Sequence, residues 1–204
     1  MAGDLTLADI LDQRAYERVR DQYRAEVIAL KRRRRVGLGP IMTFVFECTD
    51  TVRFQVQEMA RAEKILSDQG IQTELDIYNR LLPSEGELSA TLFIELTSED
   101  DLKRWLPRLV GIEKALAIDV GGELVVGVPE ADHEAALVRQ TVTAAVHYVR
   151  FPFTTAQVEA FSAASGVALV STHPAYPERA PLDRTVHNEL LGDLEGTTKP
   201  LHMG

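Results

Sequence analysis

Three side chains of this chain carry groups suited to metal binding or acid–base chemistry: Glu58, His147 and His173. The carboxylate of Glu58 is expected to face a partly apolar seam of a predicted helix. His147 alternates with apolar residues on a predicted strand, and His173 lies at the carboxyl end of another, where sites often gather. A carboxylate and two imidazoles can bind a divalent metal or relay a proton. The three residues are therefore candidates for a metal or catalytic site.

A structural interpretation of the same residues stays open. A core histidine commonly hydrogen-bonds a backbone carbonyl, and a partly buried glutamate commonly pairs with an arginine. Neither His-x-His nor His-Glu-x-x-His occurs in the chain, and Asp132-His133-Glu134 is expected to be solvated. Cys48 has no sequence signature of a nucleophile and is expected to be a small buried residue. Whether the protein is an enzyme stays open.

Five consecutive cations, Lys31 to Arg35, end the first predicted helix and precede an apolar strand. Cations at a helix C-terminus are favoured by the helix dipole, which is a purely structural explanation. The alternative is that Arg32, Arg33, Arg34 and Arg35 bind an anion or a protein partner. Because adjacent cations repel one another, we expect one or two of them to pair with carboxylates of the body and the others to be free.

Three further arginines are candidates for holding an anionic group beside the candidate site: Arg53, Arg61 and Arg150. The glycines of Gly37-Leu-Gly39 precede a strand and do not join a strand to a helix, so dinucleotide binding is not supported. No Gly-x-Ser-x-Gly elbow is present. The residues themselves therefore define candidate charges but no recognised catalytic motif.

Charge is unevenly distributed along the chain. Residues 1–35 hold nine Lys/Arg and six Asp/Glu, the remainder holds 13 and 25, and the net charge is −9. An acidic body argues against a general nucleic-acid-binding protein, because phosphate neutralisation supplies most of that affinity. One cysteine, no apolar leader and no apolar run long enough to span a membrane predict a cytoplasmic protein without a membrane partner.

Helical periodicity is clearest near the N-terminus. An apolar residue recurs every three or four positions, at Tyr16, Val19, Tyr23, Val27 and Leu30. This stripe predicts a long amphipathic helix, preceded by a shorter one with Thr6 as its N-cap. Further helices are predicted near 49–66, 71–82, 98–105, 154–164 and 183–194. Residues 52–57 also fit a strand, but the helix-forming residues that follow favour a helix.

Strand signals predict a sheet that is mainly antiparallel. Every second residue from Leu88 to Leu96 is apolar, and the residues between are Ser89, Thr91, Phe93 and Glu95, as in a half-buried strand; Gly121-Gly122 indicates a two-residue hairpin. Other strands are predicted near 41–47, 142–151 and 167–171. We therefore expect one α+β domain over residues 1–204, with a helical segment at 1–35. Residues 174–204 are expected to form an extended tail with one short helix.

Several segments together resemble an uncharacterised bacterial family, domain of unknown function 3501. The most distinctive are Gln57-Glu-Met-Ala-Arg-Ala-Glu63 and His147-Tyr-Val-Arg-Phe151. Lys31-Arg-Arg-Arg-Arg-Val36, Thr51-Val-Arg-Phe54 and His173-Pro-Ala-Tyr176 also fit. The resemblance covers nearly the whole chain. Genes of this family often neighbour those of rubrerythrin-like and iron–sulfur electron-transfer proteins. The resemblance therefore implies an accessory role in peroxide or redox metabolism. The chain departs from the family at Cys48, where a polar residue is expected.

Two hypotheses of different classes follow. The first is a non-catalytic accessory protein that docks an acidic redox protein through the basic block. The second is a small metal-binding protein or enzyme that uses Glu58, His147 and His173. The lack of a recognised catalytic spacing favours the first. The sequence does not distinguish a monomer from a homo-oligomer, and it does not name a ligand.

Overall fold

The computed structural model describes residues 3–130 and 142–201, which form six α-helices and two antiparallel sheets. The helices are α1 (Gln13–Arg33), α2 (Thr49–Ala62), α3 (Asp68–Tyr78), α4 (Glu99–Trp105), α5 (Thr155–Ala163) and α6 (Arg184–Leu194). The strands are β1 (Arg35–Leu38), β2 (Met42–Phe46), β3 (Glu87–Ile94), β4 (Leu116–Val120), β5 (Glu123–Val126), β6 (Val128–Pro129), β7 (Val146–Pro152), β8 (Val167–His173) and β9 (Tyr176–Pro181). The predicted α+β class with antiparallel pairing is confirmed. The cluster Asp132-His133-Glu134 lies outside the described residues.

The apolar stripe of α1 is buried as predicted. Asp12 caps the helix by accepting a hydrogen bond from the backbone nitrogen of Ala15 at 2.9 Å. Tyr16, Tyr23 and Val27 pack into one cluster against Phe54 of α2. The helix ends at Arg33, and the backbone of the next residue leaves the helical conformation. The expectation that the helix continues to Arg35 was therefore wrong, because Arg35 begins β1.

Helix α2 includes residues 52–57, so the prediction of a helix there is confirmed and the alternative of a strand is not. Its side chain Gln57 holds the N-terminal segment, donating to the backbone oxygen of Leu11 at 2.9 Å and accepting from its nitrogen at 3.0 Å. Asn79 makes the equivalent pair with Leu5, at 2.9 and 3.0 Å. The side-chain amides of Gln57 and Asn79 each bond both backbone groups of one residue, and they thereby fasten residues 5–11 to α2 and to the end of α3.

The two sheets enclose the main core. The strand order is β1-β2-β3-β7-β6 in the five-stranded sheet and β5-β4-β8-β9 in the four-stranded sheet. The chain passes from β5 to β6 at Gly127, where a Cβ atom would lie 2.7 Å from Val149. The predicted β4–β5 hairpin is confirmed, and Gly121 and Gly122 adopt φ of 63° and 102°, which favours glycine.

The five-stranded sheet is covered on both faces. Residues such as Phe44 and Leu92 point into the space between the sheets, and the opposite face packs under α2 and α3. Consequently Ser89 and Thr91 of β3 are buried as well, at 2% and 5% exposure. The interpretation of β3 as a half-buried strand was wrong, because its polar residues face helices and not solvent.

The C-terminal region is not an extended tail. Tyr176–Pro181 forms β9, which pairs with β8 along its whole length. Helix α6 follows, and its residues Val186, Leu190 and Leu194 belong to the main core. Residues 174–194 are therefore integral to the fold, and residues 195–201, which follow α6, lie on its surface.

Candidate functional site

Arg34 forms a buried polar site where α1 meets β1. Its side chain has no solvent exposure. The guanidinium donates to the backbone oxygens of Phe46 at 2.9 Å and Glu47 at 3.2 Å, and it forms a salt bridge with Asp193 of α6. The Asp193 side chain is itself 5% exposed. This one arginine therefore joins the end of α1, the end of β2 and the last helix.

The charge of Arg34 is maintained by its surroundings. Burial by itself would lower the pKa of Arg34, but Cys48, Asp193 and Glu189 outweigh it and raise the pKa overall. A partner or an external anion cannot reach a side chain that has no exposed area. Arg34 is thus removed from the predicted anion- or partner-binding set, and its contacts indicate a structural role.

The other cations of the block divide between paired and free. Arg33 pairs with Glu189 of α6, and a terminal nitrogen of Arg35 lies 3.9 Å from Glu95. Arg32 is exposed and makes no ion pair with any residue in the described part of the chain. Three arginines of the block thus lie within ion-pair distance of a carboxylate, one more than the one or two expected.

Glu58 connects α2 to α1. Its Oε1 accepts from Tyr16 Oη and from Arg20 Nε, and its Oε2 accepts from Arg20 Nη2, each at 2.8 Å. The hydrogen bonds from Arg20 lower the pKa of Glu58, which outweighs its partial burial. The carboxylate is therefore ionised and has its oxygens engaged within the helix pair. Pairing of this glutamate with an arginine was the structural alternative.

His147 is a core residue of β7, 4% exposed. Its Nε2 lies 2.9 Å from the backbone oxygen of Ala144 and 3.0 Å from Oγ1 of Thr143. A carbonyl oxygen can only accept, so Nε2 carries the proton. The ring thus fixes the turn that enters β7.

His173 ties the β8–β9 turn to a distant loop. Its Nε2 donates to the backbone oxygen of Val110 at 3.1 Å, and its Nδ1 accepts from the nitrogen of Ala175 at 3.2 Å. Both nitrogens of a neutral imidazole are thereby used. No lone pair of this ring remains for a metal.

The three predicted site residues do not converge. Glu58 lies on α2, His147 on the five-stranded sheet and His173 on the four-stranded sheet. Within residues 3–130 and 142–201, no three His, Cys, Asp or Glu side chains are grouped so that they could hold a metal ion. The described structure therefore does not group these three residues as a metal site, and each is engaged by its own neighbours.

The three arginines predicted to hold an anion each contact an acidic neighbour. Arg61 lies 2.7 Å from Glu17, and Arg150 pairs with Glu87 and also donates to a backbone oxygen. Arg53 lies 3.4 Å from Asp50, and its Nε is buried without a hydrogen-bond partner. Arg53 and Arg61 are on α2 and Arg150 is on β7, and the contacts that hold each of them are with its own neighbours.

A buried carboxylate that sequence reasoning missed lies directly after β2. Glu47 is 7% exposed, and its two oxygens accept from Thr51 Oγ1 at 2.5 Å and Thr91 Oγ1 at 2.6 Å. The sequence signal for this site is a glutamate directly after a buried strand, followed four positions later by a threonine in the first turn of a helix. The adjacent Cys48 is 6% exposed, and burial raises the pKa of its thiol, so it is not an activated nucleophile.

The solvent face of α1 also escaped notice. Four arginines on this helix are exposed and form no ion pair or hydrogen bond with another described residue: Arg14, Arg18, Arg24 and Arg32. One stripe of the helix holds Arg14, Arg18 and Arg32 together with the exposed residues Asp21, Ala25 and Ala29, and Arg24 lies to one side of it. The sequence signal for this surface is that positions 14, 18, 25, 29 and 32 are separated by three, four or seven residues, which places them on one side of a helix. We call this surface the α1 cationic face.

None of the helices within the described residues is long and apolar enough to cross a membrane. No curated protein matches the chain. It is similar to the crystal structure, at 1.90 Å resolution, of a protein of unknown function from Burkholderia pseudomallei K96243. The two are 39% identical with a TM-score of 0.86, and the match covers 94% of this chain and 100% of that one. A family model described as a protein of unknown function, DUF3501, matches residues 4–194. The chain belongs to the DUF3501 family.

Proposed function

We propose that this protein is a non-catalytic binding protein that docks an acidic protein partner through the α1 cationic face. The observation that carries the proposal is the set of four exposed arginines on α1 that form no ion pair or hydrogen bond with any residue the structure describes. An acidic redox protein, rubrerythrin-like or iron–sulfur, is the partner class, in line with the accessory role that the family resemblance implies. The proposed compartment is the cytoplasm.

Charge distribution supports docking at this face. The chain outside residues 1–35 carries 13 Lys/Arg against 25 Asp/Glu, so an acidic partner is repelled from most of the surface. From Arg14 to Arg32 the helix rises by about 27 Å, which is comparable to a small protein interface. Exposed charge pairs contribute about 0.2–1 kcal/mol each, so four arginines supply about 1–4 kcal/mol. Such charges act chiefly on the association rate and its salt dependence.

The metal or enzyme alternative has weaker support. Glu58 is engaged by Arg20 and Tyr16, and His173 uses both ring nitrogens for backbone groups. Residues that act on a substrate need groups that are accessible to it. The arginines of α1 meet that requirement for a charged partner, whereas His147 is buried and the polar atoms of Glu58 and His173 are engaged within the protein.

A capture experiment with two charge-matched variants tests the proposal. The first variant carries Arg14→Gln, Arg18→Gln, Arg24→Gln and Arg32→Gln. The control carries Lys64→Gln, Lys103→Gln, Arg104→Gln and Arg184→Gln, which removes the same charge elsewhere on the surface. The expected result is an acidic protein from native lysate that is captured by wild type and control, is lost with the first variant, and is released as salt rises. Identical profiles for all three proteins would refute the proposal.

A further inference from the structure

A cleft of about 500 Å3 lies where the end of α1, the start of α2 and α6 meet the chain after α6. Residues 197–201, here called the strap, form one wall of it. The side chains from α1 and α6 that carry the argument below are Arg33, Thr185, Asn188 and Glu189. Its volume is in the range of small-molecule sites in proteins.

The strap is fastened at both ends. Thr198 Oγ1 donates to Asp193 Oδ1 at 2.8 Å, and the backbone nitrogen of Leu201 donates to Asp50 Oδ2 at 2.9 Å. The Leu201 side chain packs against the apolar cluster between α1 and α2. The family match ends at residue 194, so the strap lies beyond the matched region. The cleft therefore combines a wall from the family fold with a wall from the chain that follows it.

The carboxylates that line the cleft are already neutralised. Asp50 faces Arg53 at 3.4 Å and receives the Leu201 hydrogen bond. Glu189 pairs with Arg33, and its Oε2 also lies 3.6 Å from Nη1 of the buried Arg34. Neither acidic group needs a cation from a ligand.

The lining groups without a partner can all donate hydrogen bonds. Lys199, Asn188 and Thr185 form no hydrogen bond or ion pair with another described residue, and Arg33 uses only its Nε for Glu189. Two cations, an amide and a hydroxyl therefore face the same space with donors to spare. A carboxylate or a phosphate group is the chemistry that such a set recognises.

We propose that this cleft is a binding site for a small molecule that carries a carboxylate or phosphate group. Arg33 from the helix end and Lys199 from the strap contact the anion from opposite walls, and Asn188 and Thr185 orient it. Lys199 reaches the anion only while the strap is in place, so the contacts of Thr198 and Leu201 that fasten the strap also form the site. The site is separate from the α1 cationic face, which uses other arginines.

Titration of the isotope-labelled full chain, followed by proton–nitrogen correlation spectra, tests this site with two probes, inorganic phosphate and succinate. At least one probe is expected to produce saturable shifts at the amides of residues 185–188, 197–199 and 201, with a dissociation constant of about 1 mM or lower. The response to phosphate against succinate identifies the anion class. Arg33→Gln and Lys199→Gln are each expected to weaken binding about tenfold.

The matched control is Arg32→Gln, which removes an adjacent cation outside the cleft and is expected to bind like wild type. Dispersed spectra of each variant establish that it is folded. Absence of saturable shifts with both probes would overturn the proposal, as would unchanged binding in both Arg33→Gln and Lys199→Gln. Shifts confined to residues 14–32 would assign the anion to the α1 cationic face instead, and would equally overturn a site in the cleft.

Discussion

Replacing Arg34 with methionine is expected to destabilise the protein more than any other change within the basic block. Methionine retains much of the apolar volume of the arginine stem but none of its donors. The substitution leaves Asp193, whose side chain is 5% exposed, without its cationic partner. It also leaves the backbone oxygens of Phe46 and Glu47 without the two guanidinium bonds.

The size of the loss follows from burial. Removing one member of a buried ion pair costs about 3–5 kcal/mol, because the remaining charge stays desolvated. For a chain of 204 residues, a loss of 1 kcal/mol lowers Tm by roughly 2–4 °C, so Arg34→Met is expected to lower Tm by about 6–20 °C. Replacing both partners, as in Arg34→Met/Asp193→Leu, removes the unpaired charge and is expected to recover at least half of the loss.

Urea unfolding followed by circular dichroism measures these differences, provided that the slope of free energy against denaturant is unchanged. The control is Arg32→Met, two residues away on the exposed surface, which is expected to stay within about 0.5 kcal/mol of wild type. If Arg34→Met lies within about 1 kcal/mol of wild type, or if the double variant is less stable than the single one, the assignment of Arg34 as a buried structural charge is refuted.

Three further predictions concern other buried contacts. Arg20 lowers the pKa of Glu58 below its usual 4.5. The stabilisation that the ionised carboxylate gives to the fold is therefore fully present above pH 4.5 and is lost as the pH falls through the lowered pKa. Glu58→Gln should therefore lower Tm at pH 7 but not near pH 2, and Glu159→Gln, an exposed control, should lower it at neither; equal shifts at both pH values would contradict this. Cys48 is expected to react with iodoacetamide at least about tenfold more slowly in the native protein than in urea, and equal rates would contradict its burial. Asn79→Ala should make residues 3–10 more susceptible to limited proteolysis, an effect absent from Gln72→Ala on the exposed face of α3, since Asn79 makes both side-chain hydrogen bonds to the backbone of Leu5.

Local patterns predicted most of the secondary structure but not where elements end. Arginine is a good helix former, so nothing in the basic block signals that α1 stops at Arg33. Strand β9, Tyr176–Pro181, contains two prolines and reads as a loop. It is an edge strand of the four-stranded sheet, where proline is tolerated because one row of N–H groups has no partner to lose.

The candidate site was less predictable because its contacts are distant in sequence. His173 bonds a carbonyl 63 positions away, and Arg34 pairs with a carboxylate 159 positions away. Residue type suggested ligands, whereas the actual partners depend on packing between sheets and helices. The exposed arginines of α1 could be predicted from helical spacing, since a cation on the face opposite an apolar stripe is expected to be solvated.

Site-specific photo-crosslinking from the middle of α1 tests the proposed docking most directly. A photoreactive phenylalanine analogue replaces Ala25, which is exposed between Arg18 and Arg32, and a control places it at Ala160 on the exposed face of α5. After irradiation of native cells, the expected result is an acidic protein crosslinked from position 25 only, and not when Arg14, Arg18, Arg24 and Arg32 are all glutamine. Crosslinks that are the same from both positions, or that persist without the four arginines, would contradict docking through the α1 cationic face.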